Sequence, residues 1–149
     1  MSAGEYCNRD VVVVSKSEPV SEAITLMRKH HVGDVIVTEE TAAGMIPLGI
    51  LTDRDIVLEI LAEDVDLASV TIGDVMSFEL TTVTEDTKLI DTIKLMRDKG
   101  VRRIPVVNQE GILQGLLSVD DILELLAEQL TDIVNLIGKE QSRESKSRR

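Results

Sequence analysis

The chain has 149 residues, of which 43% are apolar, enough for one compact domain or two small domains sharing a core. Tyr6 and Phe78 are its only aromatic residues, which argues against stacking surfaces for single-stranded nucleic acid. The net charge of −11 opposes binding to phosphate backbones and anionic membranes, and the single cysteine excludes an intrachain disulfide framework.

The first half of the chain predicts a strand, a helix, two strands and a second helix. A β-branched run at 11–14 indicates a buried strand, and Pro19 suits the first turn of the helix that follows. His30 and His31 fit the C-terminal end of this helix, and adjacent helical residues do not share a face, so we expect a surface helix end rather than a metal site. Further strands are expected at 35–37 and 48–51, and a helix at 53–62.

The second half predicts the same order of elements. Strands are expected at 81–83, 104–107 and 112–117, with a helix at 89–99. A final helix is expected from Val119 to about Ile137, with Gly138 ending it. Apolar residues cover more than one face of this helix, which is typical of a helix buried by a partner chain. We therefore expect a homodimer formed through helices that include 119–138.

The C-terminal segment 139–149 has five basic residues, two acidic residues and no apolar residue. We expect a disordered segment or a frayed helix that serves as a solubilising tail, the alternative being a tether for nucleic acid or a partner. No apolar run approaches the roughly 20 residues of a membrane helix, and the first residues lack the features of a signal peptide. We therefore expect a soluble, cytoplasmic protein that binds neither membranes nor nucleic acid.

The two halves also repeat each other in sequence. Residues 24–28 (ITLMR) return as 93–97 (IKLMR), and 49–55 (GILTDRD) return as 115–121 (GLLSVDD). The stretch between Val37 and Gly49 is three residues longer than its equivalent in the second half. Two such halves facing each other about a pseudo-twofold axis would leave clefts at their junction, where ligands commonly bind.

The same alignment matches Cys7 with Met76, so we expect Cys7 to fill an apolar position rather than to bind metal or act in redox chemistry. Gly49 and Gly115 are isolated glycines at strands and not phosphate-binding loops. The sequence contains no nucleophile–base pair, no Walker loop and no dinucleotide fingerprint. We therefore expect neither catalytic residues nor a metal site.

This tandem of β-α-β-β-α units resembles the paired cystathionine-β-synthase (CBS) domain, the regulatory module called a Bateman module. The resemblance rests on 73–76 (GDVM), on 101–107 (VRRIPVV) and on the motif of Gly, two apolar residues, Thr or Ser, and Asp that closes each half. It implies a stand-alone α/β (α+β) protein with CBS domain 1 at 5–66 and CBS domain 2 at 70–128, the latter with its helix extended to about 138.

Members of this family typically bind adenosine derivatives in two clefts between the halves. The resemblance implies AMP, ADP or ATP as the ligand, with S-adenosylmethionine or NAD(H) as alternatives, and no prosthetic group. It implies that Ser118 takes phosphate or ribose oxygen and Asp121 the ribose hydroxyls of one ligand. The adenine of that ligand would lie against three residues of the first half, Val12, Val32 and Gly33.

The second cleft would combine Thr52 and Asp55 with Thr81, Val101 and Arg102. Physical reasoning supports the hydroxyl and carboxylate roles, because a hydroxyl at a helix start can bind an anion and a carboxylate can accept both hydrogen bonds of a ribose diol. The alternative is that Thr52 and Ser118 only cap their helices and the aspartates are first-turn acids. Recurrence of the pair in both halves favours ligand contact.

The two halves differ in charge at one place, since Arg102 and Arg103 stand where the first half has Gly33 and Asp34. Arginine offers a bidentate fork to phosphate, so we expect Arg103, helped by Arg102, to face phosphate in the Ser118 cleft. Asp34 would disfavour phosphate in the other cleft, where Arg54 could compensate. The alternative is a solvated or salt-bridged arginine pair in an acidic protein.

These features predict an adenine-nucleotide sensor that signals ligand level to an unknown protein target. A ligand bridging the two halves would stabilise one relative orientation or one dimer form and thereby change affinity for the target. The alternative function is a constitutive dimerisation or docking module without a ligand.

Overall fold

The structure, a computed structural model that describes residues 1–148, contains two three-stranded mixed sheets with flanking helices. In each sheet the first strand pairs parallel with the second, and the second pairs antiparallel with the third. The strands are β1 (Val13–Val14), β2 (Asp34–Thr41), β3 (Gly44–Thr52), β4 (Val83–Thr84), β5 (Arg103–Val107) and β6 (Leu113–Ser118). The helices are α1 (Ala3–Tyr6), α2 (Val20–His30), α3 (Asp53–Ile56), α4 (Ile72–Val75), α5 (Leu89–Lys99) and α6 (Val119–Ser147).

The two sheets correspond residue by residue. Val14 pairs with Val37 in the first sheet, and their equivalents Val83 and Val106 pair in the second. A β-bulge interrupts both antiparallel hairpins at the same place, directly after Val37 and Val106. The length difference seen in the sequence is taken up by the β2–β3 hairpin, which is longer than the β5–β6 hairpin. The fold class predicted from the sequence is confirmed, although β1 and β4 are shorter than the predicted strands at 11–14 and 81–83.

Each sheet buries its own aliphatic core. β-branched and leucine side chains on the covered face of each sheet are fully buried, and burying one such side chain stabilises the fold by about 1.5–3 kcal/mol. The equivalent residues of the two cores are Val35, Val37 and Leu51 in the first and Ile104, Val106 and Leu117 in the second.

The leading segment of each repeat, residues 2–8 and 71–77, packs on the core of the other repeat. Ala3 of α1 is fully buried in the second core, and α4 contributes to the first core. The backbone of Asn8 exchanges two hydrogen bonds of 2.9 Å with Leu116 of β6, and the second leading segment pairs likewise with β3. This crosswise exchange holds the two repeats together and forms the junction between them.

Close approach at these crossings explains the two motif glycines. A Cβ added at Gly115 would lie 2.5 Å from Sγ of Cys7 and 2.8 Å from the carbonyl oxygen of Asn8. A Cβ at Gly49 would collide with the backbone oxygen of Ser77 in the same way. Cys7 packs against the second core, and burial raises the pKa of its thiol, in agreement with the apolar role expected for it.

The two repeats differ in the helix that follows the third strand. In the first repeat α3 runs into a π-helical turn, Val57–Leu61, whereas α6 is α-helical at the equivalent place. A π-turn accommodates one additional residue within a helix. Ile56 and Ile60 are consequently buried four residues apart in the first repeat, where α6 buries Ile122 and Leu125 three apart.

The predicted end of the last helix was wrong. α6 continues through Gly138 to Ser147, so most of the segment expected as a disordered or frayed tail is helical; Arg149 lies outside the described residues. The physical reason is helix propensity, because Lys, Glu, Gln and Arg favour helix without any apolar contact. An ion pair between Arg148 and Glu144 at 3.0 Å also joins consecutive turns. No helix within residues 1–148 combines the length and apolarity needed to cross a membrane.

Candidate functional site

A cavity of about 250 Å³ lies where the two repeats meet, between the start of α6 and the strand ends of the first repeat. Both repeats contribute to its wall, as expected for a cleft at the junction. The structure brings together here every residue predicted for the first cleft, together with the arginine expected beside it: Ser118, Asp121, Arg103, Val12, Val32 and Gly33.

The start of α6 orders the polar side of this cavity. Ser118 is the N-cap residue, and its Oγ accepts a hydrogen bond of 3.2 Å from the backbone N–H of Asp121. In return, Oδ2 of Asp121 accepts hydrogen bonds from the backbone N–H and the hydroxyl of Ser118, at 3.0 and 2.9 Å. This capping box satisfies helix N–H groups and fixes the carboxylate in the cavity wall.

The capping box itself does not distinguish a ligand site from a plain helix start. Thr52 and Asp55 form the same box at α3, and Thr71 and Asp74 form a third at α4, where no ligand role was predicted. The alternative interpretation of these residues as caps is therefore correct as local structure. What distinguishes Ser118 and Asp121 is that their cavity also contains the other residues predicted for their cleft, whereas the cavity that Asp55 and Asp74 line does not.

The arginine of the cavity has an acidic partner. Nε of Arg103 lies 3.0 Å from Oδ1 of Asp34, and both side chains are mostly buried. Burial raises the pKa of Asp34; the charge of Arg103 lowers it, and the nearby Asp53 raises it further. The expectation that Asp34 would act in the other cleft was wrong, because Asp34 and Arg103 start equivalent strands that meet at the junction and line the same cavity.

The cavity wall is more acidic than the sequence indicated. Four carboxylates line the cavity together with one arginine, Arg103, and this arginine is already paired with one of the four. Arg102, expected to assist, lies outside the wall on the surface, 3.9 Å from Asp120. The carboxylates are those of Asp10, Asp34, Asp120 and Asp121.

Sequence reasoning missed several residues of the wall. His31, which was interpreted only as a helix end, lines the cavity from the end of α2. Asn8 lines it from the leading segment that crosses to β6, and Asp10 from the chain just after that segment. The alignment of the two halves could have pointed to Asn8, because Asn8 directly follows the apolar position that Cys7 and Met76 share. The crossing that carries Asn8 to β6 depends on contacts distant in sequence, so local patterns did not reveal it.

The residues predicted for the second cleft are not gathered in the same way. Asp55 lines a cavity of about 440 Å³ together with Glu59, Asp74 and Ser77. The other four residues predicted for this cleft are not part of the described wall of that cavity: Thr52, Thr81, Val101 and Arg102. Among residues 1–148, no three His, Cys, Asp or Glu side chains are arranged to hold a metal ion.

Comparison with known proteins identifies the repeats. The sequence model of the CBS domain matches twice, at residues 3–62 and 72–128, which together make up most of the chain. The chain belongs to the CBS domain family. The tandem CBS arrangement expected from the sequence is thereby confirmed.

Curated relatives of this CBS pair include proteins of unknown function. An uncharacterized protein of Methanopyrus kandleri is 37% identical over 84% of this chain. A CBS domain-containing protein of Bacillus subtilis is 35% identical over 81% of this chain and 82% of its own length. The chain spans only 62% of the length of the Methanopyrus protein, so the activity of that whole protein is not carried over.

Solved structures share the CBS fold. A CBS domain pair in complex with 5′-methylthioadenosine and S-adenosyl-L-methionine superimposes with a TM-score of 0.74 at 20% identity, over 87% of this chain and 98% of that one. The cytosolic domain of the Mg²⁺ channel MgtE in complex with ATP superimposes with a TM-score of 0.69 at 25% identity, over 83% of this chain and 48% of that one. A hexameric CBS-CP12 protein from bloom-forming cyanobacteria superimposes with a TM-score of 0.72 at 28% identity, over 83% of this chain and 66% of that one.

Proposed function

We propose that this CBS pair is a regulatory module that binds an adenosine derivative in the cavity at Ser118 and Asp121 and signals ligand level to a protein target. The observation that carries the proposal is the meeting of these two residues with Val12, Val32 and Gly33 in one cavity, since the five come from opposite repeats. The solved relatives that hold S-adenosylmethionine or ATP support the class of ligand.

The chemistry of the wall suits a nucleoside. Val12 and Val32 offer apolar contact to a base, and Gly33 adds little side-chain bulk beside them. Oδ2 of Asp121 is engaged by Ser118, so Oδ1 is the oxygen offered to the ribose hydroxyls. Because the capping box holds the carboxylate in place, binding costs little side-chain entropy.

The charge of the cavity wall predicts an order of affinity among the candidate ligands. The sequence favoured AMP, ADP or ATP, but each further phosphate brings negative charge toward four carboxylates and one arginine that is already paired. Neutral or cationic adenosine derivatives such as 5′-methylthioadenosine and S-adenosylmethionine should therefore bind best. AMP should follow, and ADP, ATP and NAD(H) should bind least.

A ligand that bridges the repeats can act by shifting populations. Because it touches both repeats, it favours the orientation in which the cavity is closed and lowers the population of others. No step of this mechanism makes or breaks a covalent bond, so the module that we propose is not an enzyme. Modules of this kind are expected to form oligomers, and the exposed apolar residues of α6 offer a surface for such an assembly. We propose a homodimer that forms through this helix.

Thermal unfolding against a ligand panel tests the proposal. The panel contains 5′-methylthioadenosine, S-adenosylmethionine, AMP, ADP, ATP and NADH, with GTP as a control. A ligand at about 100 times its Kd should add about 2.7 kcal/mol of stability, which is a shift of several degrees in Tm.

Two matched variants connect the shift to the cavity. Asp121→Ala and Asp74→Ala each remove the acidic half of a capping box, at a cost of about 1 kcal/mol or less, but only Asp121 lines the proposed site. We expect Asp121→Ala to abolish the ligand shift and Asp74→Ala to retain it. Absence of a shift with every ligand in the well-folded wild type would instead support a ligand-independent docking module, for which the exposed face of α6 would be the functional surface.

A further inference from the structure

The hairpin of β2 and β3 extends beyond the strand that lies beside it. The last residue of β2 that pairs with β1 is Val37, whereas β2 itself continues to Thr41. In the second repeat the last residue of β5, Val107, is itself paired with Thr84 of β4. Among residues 1–148, no strand therefore pairs with 38–41 on the β1 side, and the first sheet has an open edge there.

The open edge presents backbone groups that can pair with a further strand. The additional residue of the β-bulge, Leu48, lies in β3, so β2 itself alternates regularly. The N–H of Ile36 donates to the carbonyl oxygen of Val12 on the β1 side, at 3.0 Å. Counting from Ile36 in steps of two, both backbone groups of Glu40 lie on the open edge. An edge of this kind is a template for pairing with another chain.

A groove of about 490 Å³ lies alongside this edge, and the turn at 15–18 lines it where the chain leaves β1. Backbone hydrogen bonds from the second leading segment hold this turn in place. Gly73 donates to the carbonyl oxygen of Lys16 at 2.8 Å, and Ile72 donates to that of Glu18 at 2.9 Å. The groove is therefore preformed. Its apolar lining consists of Val13, Val14, Met45 and Leu48.

The charge of the groove selects its occupant. Three carboxylates line it, those of Glu18, Glu39 and Glu40, together with one ammonium group, that of Lys16. None of these four side chains is in an ion pair within residues 1–148. A second copy of β2 would bring Glu39 and Glu40 against the same acids, and like charges destabilise a strand pair. The charges therefore favour a basic segment over another copy of this edge.

We propose that this edge docks an extended, basic segment of a protein target, which adds to the first sheet as a strand beside β2. The backbone of the segment pairs with Glu40, alternate apolar side chains enter the groove, and Lys or Arg side chains meet the glutamates. The basic residues of this chain at 139–147 are helical and do not supply the strand.

The docking surface is separate from the proposed ligand site. The groove and the cavity at Ser118 share no lining residue. Docking of a target segment can therefore be measured without any ligand, and failure of either proposal leaves the other standing.

Peptides of defined sequence test the docking. The probe is a fluorescent heptapeptide of alternating lysine and valine with blocked termini, and the control peptide has glutamate in place of lysine. Fluorescence anisotropy measures binding of each peptide to the full chain. We expect saturable binding of the lysine peptide and none of the glutamate peptide. Equal binding of both peptides, or binding of neither, would overturn the proposal.

Glu40→Pro and Glu40→Gln test the pairing of backbones. Both remove the same charge, but only proline removes the N–H on the open edge, and proline is tolerated in an edge strand whose N–H is unpaired. We expect the lysine peptide to bind Glu40→Pro at least about tenfold more weakly than Glu40→Gln. Thermal unfolding checks that both variants are folded. Equal affinity in the two folded variants would show that no strand is added.

Methylation of the probe gives the same information in the wild type, should Glu40→Pro not fold. Two probes carry methyl groups on alternate backbone nitrogens, one on the lysines and the other on the valines. Because only alternate N–H groups of an added strand face β2, one probe should lose binding and the other retain it. Equal loss with both probes would contradict strand addition.

Charge reversal tests the choice of a basic partner. Glu39→Lys with Glu40→Lys should weaken binding of the lysine peptide at least about tenfold and allow binding of the glutamate peptide. Glu63→Lys with Glu110→Lys makes the same change in net charge at two exposed positions outside the groove, and should leave both affinities unchanged. Equal effects of the two double variants would show that net charge, and not the groove, attracts the peptide.

Discussion

His31 and Gly100 end the equivalent helices α2 and α5 in the same left-handed backbone conformation, with φ of 54° and 67°. Glycine adopts this conformation without strain, whereas a residue with a Cβ is less stable in it by about 1–2 kcal/mol. His31 also lines the cavity at the junction. We propose that its side chain contributes a ligand contact there, which glycine could not supply.

The substitution His31→Gly separates these two roles. We expect the free energy of unfolding to stay within about 1 kcal/mol of wild type, because relief of backbone strain offsets the greater freedom of glycine in the unfolded chain. We expect affinity for the best ligand of the panel, measured by calorimetry, to fall several-fold. The mirror substitution Gly100→Ala should instead destabilise by about 1 kcal/mol and leave affinity unchanged. Unchanged ligand affinity in His31→Gly would contradict this role.

We expect Asp34 to set the preference of the proposed site for the 5′ group of a ligand, because it lines the cavity and pairs with Arg103. Asp34→Asn keeps the shape of the side chain, removes one negative charge and frees the guanidinium of Arg103 from its ion pair. We expect the affinity for AMP to rise about tenfold or more, while the affinity for 5′-methylthioadenosine changes little. Calorimetric titration of both ligands into both proteins gives the ratio. A ratio equal to that of wild type would show that Arg103 does not meet the phosphate.

The pKa of Asp34 also predicts a pH dependence of stability. Burial raises this pKa above its ordinary value of 3.8, so between the unfolded and folded pKa values the folded state holds more protons than the unfolded state. The contribution of Asp34 to stability is therefore greatest at low pH and declines as the pH rises through this interval. Asp34→Asn has no such decline.

Urea unfolding of wild type and Asp34→Asn across the acidic range measures this difference, since the other carboxylates are common to both proteins. We expect the stability of Asp34→Asn relative to wild type to increase as the pH rises above the ordinary Asp value, and then to level off. A relative stability that decreases over the same range would mean that the ion pair with Arg103 outweighs burial.

Internal repetition in the sequence predicted the two sheets and the order of elements, because these follow from local periodicity and from matching one half of the chain to the other. The placement of Ser118 with residues of the first repeat was implied by the resemblance to the CBS family. Asp34 shows where this reasoning stops. The alignment located it opposite Arg103 in the sequence, but the contact between the two side chains depends on how the repeats approach each other.

The leading segments and the tail show two further limits. Cys7 was correctly matched with Met76, but no local pattern indicated that the two leading segments exchange cores, because exchanged and unexchanged arrangements have the same pattern of apolar residues. The polar composition of 139–147 suggested disorder, although the same residues have good helix propensity. Composition alone therefore did not decide between disorder and helix for this segment.

The last prediction concerns the crossing that joins the repeats. Gly115→Ala would set a methyl group 2.5 Å from Sγ of Cys7, so we expect a loss of about 1–3 kcal/mol in the free energy of unfolding. Gly138→Ala is the control, since a Cβ there meets no described atom within 4 Å, and it should stabilise α6 by about 0.5–1 kcal/mol.

A double-mutant cycle measures whether the clash with Cys7 is the cause. Adding Cys7→Ala removes the sulfur but not the carbonyl oxygen of Asn8, which would lie 2.8 Å from the new methyl group. The double variant should therefore recover part of the loss, with a coupling energy of about 0.5 kcal/mol or more, because the two sites are in direct contact. Full additivity of the two substitutions in urea unfolding would show that the leading segment does not cross β6 at Gly115.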